Sequence, residues 1–429
     1  MNIAIAGYGV EGKANYEYYK KQSYTEQIII YDERTDVKAP KGVKAVLGPN
    51  ALSKIPDDFM VIRTNGLAPG KIKSGGKVWT GTNEFFVKCP APIIGVSGTK
   101  GKGTTASFIT EILRAAGRKV FLLGNIGVAA LSELPKIRED DIVVFEMSSF
   151  QLWDAVYSPH VAVLTMIEPD HLNVHNDFAD YTRAKANIAK YQSVDDTVVY
   201  HARDKNTKAI ANLSQGTKLP FPSLRSVHIK KGAFYWRTRR LCATSVVKLP
   251  GRHNLRNAMA AIGATYGFIN GDKKAIAAGL GNFAGLPHRL QFVANVGGVS
   301  YYDDSIATTP GSAIAAISSF SQPIILITGG ADKGVDYDTL AREISTHNVR
   351  DVLVIGANRK KIMADLHRHK CKNIHEVSSE KMSDIVGYAY ELAEPGDVVI
   401  LSPAAASLDM FKSYADRGDQ FAWAVRNLG

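Results

Sequence analysis

Apolar and polar positions alternate along the chain in a pattern that predicts repeated strand–helix units. In the first segment, apolar runs at Ile3–Ala6 and Ile28–Tyr31 predict strands, and the amphipathic stretch Glu11–Lys21 between them predicts a helix. The proline-containing stretch 89–92 then interrupts the pattern and predicts a linker. Residues 1–90 therefore read as a small βαβ-type unit.

The same alternation returns twice after this linker. The predicted strands lie at 93–96, 142–145, 161–165, 324–328, 352–355 and 398–401, and the predicted helices at 103–116, 181–191 and 254–267. Between them, 226–229, 233–236 and 245–247 predict the short strands of a β-meander. Connections of this length favour mainly parallel sheets covered by helices, so the predicted class is α/β with three domains, at 1–90, 91–290 and 291–429.

Charge is unevenly divided among these segments. The 429 residues hold 52 Lys and Arg against 41 Asp and Glu, a net charge of +11. Residues 91–290 carry 26 basic and 15 acidic residues, whereas 291–429 carry 13 and 17. No acid lies between Asp204 and Asp272. Such a basic segment fits a polyanion, phosphate-bearing small molecules or only a solvated face.

Cysteine usage and hydropathy point to a reducing compartment. Cys89, Cys242 and Cys371 are too few and too widely spaced for a disulfide framework or a zinc site. No apolar run reaches the length of a membrane span, and the first residues lack the layout of a signal peptide. We therefore expect a cytoplasmic protein without a membrane partner.

The strongest local motif is a glycine-rich loop at 95–105, GVSGTKGKGTT, between a predicted strand and a helix. Glycines let the backbone wrap around phosphates, the helix N-terminus supplies amide donors, and Lys102 can reach a triphosphate. Gly103 stands where a magnesium-binding hydroxyl is usual, so Thr104 or Thr105 must supply it. A glycine-rich turn without a ligand is the weaker alternative.

A second glycine motif, GYGVEG at 7–12, follows the first strand, and Asp32 ends the next one. This spacing fits a dinucleotide fingerprint, with an acid for a ribose hydroxyl. The unit is short for a nicotinamide site, and the pattern also suits another nucleotide diphosphate. The alternative interpretation, a tight βα turn that binds no ligand, stays open.

Three further positions carry weaker signals. Glu146 lies at the end of an apolar strand, where a carboxylate facing a phosphate loop can bind magnesium or simply cap a helix. His171 and His175 are four residues apart, a spacing that suits zinc or two surface histidines equally well. Lys185, judged alone, reads as a solvated helix lysine.

Together these motifs resemble the Mur ligase family, and within it the branch that adds glutamate. The resemblance covers almost the whole chain and rests on motifs in one order: Gly98–Thr105, Gly124–Gly127, Glu146–Leu152, Asp170-His171, Lys185, Gly251–Asn254, His288-Arg289, Asp303–Thr308 and Leu401–Phe421. The last of these, LSPAAASLDMFKSYADRGDQF, is the most specific to the glutamate-adding branch.

The resemblance implies a fold and a reaction. The fold would comprise a Rossmann-like UDP-binding domain, a central P-loop ATPase-type domain with a small accessory sheet, and a Rossmann-like C-terminal domain. The reaction would be ATP-dependent addition of D-glutamate to UDP-N-acetylmuramoyl-L-alanine through an acyl phosphate, in peptidoglycan synthesis. ATP and two Mg²⁺ ions would take part, and the enzyme would act as a cytoplasmic monomer with no nucleic-acid partner.

The resemblance also implies roles for individual residues. Lys102, His171 and a carbamylated Lys185 would be catalytic, and Thr104, Glu146, His171 and Lys185 would hold metal. ATP would contact Gly98, Thr99, Lys100, Gly101, Lys102, Gly103, Thr104, Thr105, Asn254, Asn257, Arg289 and Asp304. The UDP-linked substrate would contact Gly9, Val10, Glu11, Asp32, Glu33, Arg34, Gly66 and Asn125. Glutamate would contact Thr308, Lys333, Ser407 and Tyr414.

Three features depart from the family pattern. Ile306 replaces a common lysine, Gly103 matches the loop of folylpolyglutamate synthetase, and 63–66 reads RTNG in place of Ser-Pro-Gly. L-glutamate as the donor, or a folylpolyglutamate synthetase-like ligase, are therefore the alternatives. An NAD-dependent oxidoreductase lacks a catalytic acid–base cluster in this sequence, and for a nucleic-acid-binding NTPase only 234–237 combines aromatic and basic residues.

Overall fold

Two parallel sheets, one antiparallel sheet and one mixed sheet are present in the computed structural model, which describes residues 1–125, 129–172, 174–332 and 334–428. By internal contacts the chain divides into two compact units. The first combines Met1–Val247 with His253–Phe283, and the second combines Lys248–Arg252 with Ala284–Gly429. The mixed α/β class with parallel sheets is confirmed, and the finer division into three domains stays a prediction.

The first sheet of unit 1 is parallel, with strand order β3-β2-β1-β4-β5. Its strands are β1 (Asn2–Ala6), β2 (Gln27–Asp32), β3 (Ala45–Leu47), β4 (Met60–Arg63) and β5 (Val78–Thr80), and its helices are α1 (Val10–Tyr19) and α2 (Gly81–Lys88). The strands are continuous apolar runs because helices and loops cover both faces of the sheet. The carboxyl ends of β1, β2 and β4 bring the 7–12 turn, Asp32 and the 63–66 turn to one edge.

The central sheet has strand order β11-β10-β9-β6-β8-β7. Its strands are β6 (Ile93–Ser97), β7 (Val120–Gly124), β8 (Ile142–Glu146), β9 (Val161–Leu164), β10 (Thr197–His201) and β11 (Thr217–Phe221). Its helices are α3 (Lys102–Ala115), α4 (Ala130–Glu133), α5 (Ser149–Leu152), α6 (Phe178–Lys190) and α7 (Lys205–Ala211), with α8 (Arg252–Thr265) and α9 (Lys273–Asn282) later in the chain. The strands β6, β8 and β9 are neighbours, so the loops that follow them share one edge.

The predicted meander forms, but its third strand was placed wrongly. Strands β12 (Val227–Lys230), β13 (Ala233–Trp236) and β14 (Arg239–Ala243) pair antiparallel. The predicted strand at 245–247 overlaps a 3-10 turn, Thr244–Val246. The apolar signal in β14 is limited to buried Leu241 and Cys242, because its first two residues are exposed arginines.

Unit 2 holds the fourth sheet, with order β15-β16-β20-β17-β18-β19. Its strands are β15 (Gln291–Val296), β16 (Val299–Asp303), β17 (Ile324–Gly329), β18 (Val349–Ile355), β19 (Ile374–Glu376) and β20 (Val398–Leu401). Its helices are α10 (Pro310–Ile317), α11 (Asp338–Thr346), α12 (Arg359–Arg368), α13 (Met382–Leu392) and α14 (Tyr414–Arg426). Apart from the β15–β16 hairpin the strand pairs are parallel, and buried clusters line both faces.

A buried ion pair joins the first two sheets within unit 1. Arg63 ends β4 with a fully buried side chain, and its Nε lies 2.5 Å from Asp154 Oδ2. Its other nitrogens donate to the carbonyls of Thr64, Leu67 and Phe150. Every guanidinium nitrogen is therefore bonded, which is the condition for keeping such a charge inside a protein.

Removing the acid from this pair should destabilise unit 1. We expect Asp154→Ala to lower the free energy of unfolding by about 3 kcal/mol, because it leaves the Arg63 charge buried and unpaired. The double variant Arg63→Met with Asp154→Ala should recover a large part of that loss. Urea unfolding followed by fluorescence measures both, and an Asp154→Ala protein as stable as the wild type would contradict this account.

Within the described ranges, no helix is both long and apolar enough to cross a membrane.

Candidate functional site

The glycine-rich loop connects β6 to α3 with a backbone that only glycine adopts easily. Gly98 has φ +148° and Gly101, the residue before α3, has φ +82°. A Cβ at position 98 would lie 1.9 Å from Thr165 Oγ1, and one at position 101 would lie 2.5 Å from Asn257 Oδ1. The loop is thus packed closely from two sides and held in one shape in front of a helix N-terminus, which favours anions.

Two lysine amines meet on the same carbonyl of this loop. Lys102 Nζ donates to Gly98 O at 3.0 Å and to Thr99 O at 2.9 Å. Lys185 Nζ donates to Gly98 O at 2.9 Å and to Ser97 Oγ at 3.3 Å. The structure therefore brings the predicted P-loop lysine and the predicted carbamylation site together, although they are far apart in sequence.

The environment of Lys185 favours the neutral amine. Its side chain is 1 % exposed, and its Nζ lies 4.9 Å from the centre of the Tyr181 ring. Burial lowers the pKa of Lys185 well below its usual value, and the positive charge of Lys102 lowers it further. The prediction of a solvated helix lysine is therefore wrong, because the side chain is buried. A neutral amine is also the form that reacts with carbon dioxide.

Glu146 offers an oxygen that suits a cation. It ends β8 and is 4 % exposed. Its Oε1 accepts a hydrogen bond from Asn125 Nδ2 at 3.3 Å, while its Oε2 is buried and has no hydrogen-bond partner among the described residues. Burying a carboxylate oxygen without a hydrogen-bond donor destabilises the fold unless a bound ligand, such as a cation, interacts with that oxygen. Glu146 pairs in register with Val96 on β6, so it lies next to the glycine-rich loop.

Hydroxyl groups of α3 complete the loop. Thr104 is 8 % exposed, and the buried Thr105 Oγ1 has no hydrogen-bond partner in the described part of the chain. Both lie in the first turn of α3, where the sequence predicts a magnesium-binding hydroxyl. Together with the carboxylate of Glu146, hard oxygen donors of this kind fit Mg²⁺.

His171 occupies a loop after β9 in an uncommon backbone conformation. Its φ is +54°, its ring lies 5.1 Å from that of Phe150, and its Nε2 lies 3.7 Å from Asp170 Oδ2. No group of three or more His, Cys, Asp and Glu side chains that could hold a metal occurs in the described ranges.

The two asparagines assigned to ATP both lie on α8 and are buried. Asn257 Nδ2 donates to Asn254 Oδ1 at 3.2 Å. Asn257 Oδ1 is the atom that a Cβ at position 101 would clash with. The amides therefore lie against the end of the glycine-rich loop. This position suits contact with a base or ribose whose phosphates occupy the loop.

The residues assigned to the UDP-linked substrate differ in exposure: Asp32 is buried, Glu11 is half-buried and the other six are exposed. Gly9, Val10, Glu33, Arg34, Gly66 and Asn125 are exposed. Asp32 is buried and accepts from Tyr8 N at 2.7 Å and from the Arg34 guanidinium at 2.9 Å. Burial alone would raise the pKa of Asp32, but these hydrogen bonds outweigh it and lower the pKa to about 2. Asp32 thus orders the turn and the side chain of Arg34.

Unit 2 contains the remaining assigned residues. Asp304 Oδ2 accepts from Ser402 Oγ at 2.8 Å and its Oδ1 accepts from Leu290 N at 3.1 Å, while burial raises its pKa to about 7. Ser407 is buried, and Arg289 and Tyr414 are exposed. Thr308 lies between these extremes, just before α10. Lys333 lies outside the described residues, as do the Ile126 and Gly127 of the fourth motif.

Comparison with known proteins decides the family. A model of the Mur ligase middle domain matches residues 96–265, and one of the Mur ligase glutamate ligase domain matches 288–405. The chain is 32 % identical, over 99 % of its length and 96 % of the relative, to the UDP-N-acetylmuramoylalanine–D-glutamate ligase of Clostridium botulinum strain 657. The chain belongs to the Mur ligase family.

Two further comparisons extend this one, the first in sequence and the second in fold. The ligase of the same printed name from Clostridium tetani is 36 % identical over 90 % of this chain and 87 % of that protein. Among solved structures, the UDP-N-acetylmuramate-alanine ligase of Thermotoga maritima aligns with a TM-score of 0.60 and 16 % identity, covering 99 % of each chain. At that identity the structure supports the fold alone.

Two residues that organise this Mur ligase were missed from the sequence. Arg417 on α14 is fully buried, donates to Ser305 Oγ at 2.9 Å and to the carbonyls of Ser305 and Ala405, and leaves its Nη1 without a partner among the described residues. Tyr181 bonds Thr99 Oγ1 at 2.9 Å and lies under Lys185. The only signal for Tyr181 was its position one helical turn before that lysine.

Glu11 should make the stability of this Mur ligase depend on pH. Burial raises the pKa of Glu11 to about 7, although hydrogen bonds from Asn65 N and Nδ2, both 2.7 Å, hold the carboxylate in place. The folded protein keeps this proton up to about pH 7, whereas the unfolded chain loses it near 4.5. Folding therefore takes up a proton, and the contribution of Glu11 to stability falls as the pH rises between these values.

The expected size of this loss is about 3 kcal/mol between pH 4.5 and pH 7. Glu11→Gln should remove that part of the slope, while Glu17→Gln, an exposed change on the same helix, should leave the slope as it is. Urea unfolding at pH 5, 6, 7 and 8 measures all three proteins. Parallel curves for the wild type and Glu11→Gln would show that Glu11 does not titrate in this window.

Proposed function

We propose that this Mur ligase uses ATP to join the carboxylate of UDP-N-acetylmuramoyl-L-alanine to the amine of D-glutamate in peptidoglycan synthesis. The observation that carries the proposal is the pair of amines that donate to Gly98 O, those of Lys102 and of the buried Lys185. The near full-length similarity to ligases with this printed name supports the choice of substrates.

The first chemical step is transfer of the terminal phosphoryl group of ATP to the substrate carboxylate. A carboxylate is a poor acyl donor until one of its oxygens becomes a phosphate leaving group. The amides at the start of α3 would bind the phosphates, and Lys102 would exchange its two loop carbonyls for phosphate oxygens. Positive charge aimed at the moving phosphoryl group stabilises the transition state.

Glu146, Thr104, His171 and Lys185 would hold two Mg²⁺ ions at this edge. Bound magnesium would neutralise charge on the phosphoryl oxygens. The lysine amine would first react with carbon dioxide: its nitrogen forms a bond to carbon and one proton leaves to solvent. The resulting carbamate carries a negative charge, which converts a weak amine donor into an oxygen ligand. Its buried position excludes water and protects the carbamate.

The second step is attack of the glutamate amine on the acyl phosphate, which releases phosphate and forms the amide. Thr308, Lys333, Ser407 and Tyr414 would orient the two carboxylates of glutamate, with Arg289 and Asp304 contacting the nucleotide. Asp304 is already fixed by Ser402 and the backbone of Leu290. The UDP group would bind at the edge formed by 9–11, 32–34 and 66.

A comparison of acceptors tests this assignment. With ATP, Mg²⁺ and D-glutamate, UDP-N-acetylmuramoyl-L-alanine should give a product whose mass is larger by one glutamyl residue. Dihydropteroate, the folate-type acceptor, should give no product. Product from dihydropteroate alone would replace the proposal with the folylpolyglutamate alternative. The cytoplasmic location, the monomeric state and the lack of a nucleic-acid partner stay predictions of the sequence.

A further inference from the structure

A buried serine–histidine–aspartate chain lies inside the central sheet unit, and no part of the proposed mechanism uses it. His175 Nε2 lies 3.0 Å from Ser149 Oγ, and His175 Nδ1 lies 3.4 Å from Asp180 Oδ2. The imidazole is completely buried, with its ring stacked 3.9 Å from that of Trp153. The three residues come from three separate segments: α5, the loop after β9, and α6.

The other hydrogen bonds of Asp180 indicate which atom donates in this Ser149–His175–Asp180 series. Asp180 also accepts from Asn176 N at 3.2 Å and from the Arg183 guanidinium at 2.8 Å, so its carboxylate acts only as an acceptor. The proton between Asp180 and the ring therefore belongs to His175 Nδ1. In the neutral ring, Nε2 then accepts from the Ser149 hydroxyl, and the two hydrogen bonds orient the imidazole.

This order of groups resembles that of serine hydrolases, but its surroundings exclude such a role. A nucleophile must be reached by its substrate, and Ser149 is 2 % exposed. The ring of His175 packs against the rings of Trp153, at 3.9 Å between centres, and Phe150, at 5.6 Å. The chain of hydrogen bonds therefore connects parts of the protein and does not act on a ligand.

The connected parts are the ones that carry the proposed metal and phosphate site. Ser149 begins α5 three residues after Glu146, and His175 N donates to His171 O at 2.9 Å. The edge of the Tyr181 ring lies against His175 at 5.3 Å between ring centres. That same tyrosine bonds the glycine-rich loop through Thr99 and lies under Lys185. His175 thus contacts the segments of three proposed metal ligands, through its ring at Ser149 and Tyr181 and through its backbone N at His171.

We propose that His175 is a positioning residue that sets the spacing of Glu146, His171 and Lys185, and so the affinity of the site for divalent cations. This inference rests on the proposed function, because it takes those three residues, together with Thr104, as the metal ligands. Groups that orient metal ligands without touching the metal commonly change metal affinity ten- to a hundredfold. His175 is placed to do so through Ser149 and through the backbone of His171.

The variant His175→Phe tests the proposal. Phenylalanine keeps a ring that can stack on Trp153 but loses both hydrogen bonds. With a non-hydrolysable ATP analogue present, the dissociation constant for Mn²⁺, measured by electron paramagnetic resonance, should rise about tenfold or more. His175→Gln, which returns an acceptor for Ser149, should recover to within about threefold of the wild type. His228→Phe replaces another buried imidazole, one stacked on Tyr235 in the β12–β14 sheet, and should leave Mn²⁺ binding unchanged.

A folded His175→Phe protein with wild-type Mn²⁺ affinity would overturn the proposal, since the histidine would then be only a packing group. If His175→Phe does not fold, Ser149→Ala decides, because it removes one hydroxyl: about threefold weaker Mn²⁺ binding supports the proposal and unchanged binding contradicts it. The measurement needs neither the UDP-linked acceptor nor glutamate. Failure of this proposal is therefore distinguishable from failure of the substrate assignment.

Discussion

Lys102→Met should lower kcat for glutamate-dependent phosphate release by about a thousandfold or more, with a much smaller change in stability. Methionine keeps the length and the apolar stem of the side chain, so the packing at the start of α3 should survive. The lost group is the charge that stabilises the phosphoryl group as it moves. Because that charge acts mainly in the transition state, kcat should fall far more than the KM for ATP rises.

The matched control is Lys208→Met, an exposed lysine on α7. Its kcat should stay within about twofold of the wild type, since surface substitutions away from a site have small effects. Stopped-flow or coupled phosphate assays measure the rates, and thermal unfolding checks that each protein is folded. A folded Lys102→Met enzyme that keeps a tenth of the wild-type kcat would contradict the role given to this lysine.

Lys185→Ala should abolish detectable ligation, and small anions should partly restore it. The alanine leaves a buried space beside Ser97 and Gly98 that short carboxylates such as formate or acetate, or chloride, can enter. Such an anion supplies the negative charge that the carbamate would otherwise bring. Rescue of about tenfold or more over the unrescued variant is expected, whereas Lys190→Ala, at the exposed end of the same helix, should need no rescue.

A direct spectroscopic measurement accompanies the rescue experiment. Wild-type protein in ¹³C-labelled bicarbonate should show a carbamate carbon signal that Lys185→Ala lacks. Burial and the nearby charge of Lys102 lower the pKa of Lys185, which favours the neutral amine that this reaction requires. Full activity of Lys185→Ala without any added anion, or no carbamate signal in the active wild type, would remove the carbamate from the mechanism.

The sequence predicted the elements whose signal is local. Apolar runs such as Ile142–Phe145 were found within a residue of β8, because a parallel strand covered on both faces must be continuously apolar. The glycine-rich loop was equally readable, since its glycines are required by a local backbone conformation. The prediction of a strand at 245–247 was wrong, because β14 begins with two exposed arginines and has only two buried apolar residues after them.

Interactions between distant residues could not be predicted in this way. Arg63 looked like a departure in a substrate-binding turn, yet it pairs with Asp154, 91 residues further along the chain. Arg417 bonds Ser305 across 112 residues. In each case the buried arginine is stabilised by a hydrogen-bond partner that is distant in sequence and is brought close only by the fold. The lowered pKa of Lys185 has the same origin, because it depends on burial and on the charge of Lys102.

The most direct test of the whole account is phosphate release from ATP in four mixtures, with and without UDP-N-acetylmuramoyl-L-alanine and with D- or L-glutamate. We predict release only when the UDP-linked acceptor and D-glutamate are both present, with one phosphate formed per amide bond. A rate of phosphate release that neither D-glutamate nor L-glutamate increases would contradict the ligase assignment. Release with L-glutamate but not with D-glutamate would keep the chemistry and overturn the stated donor.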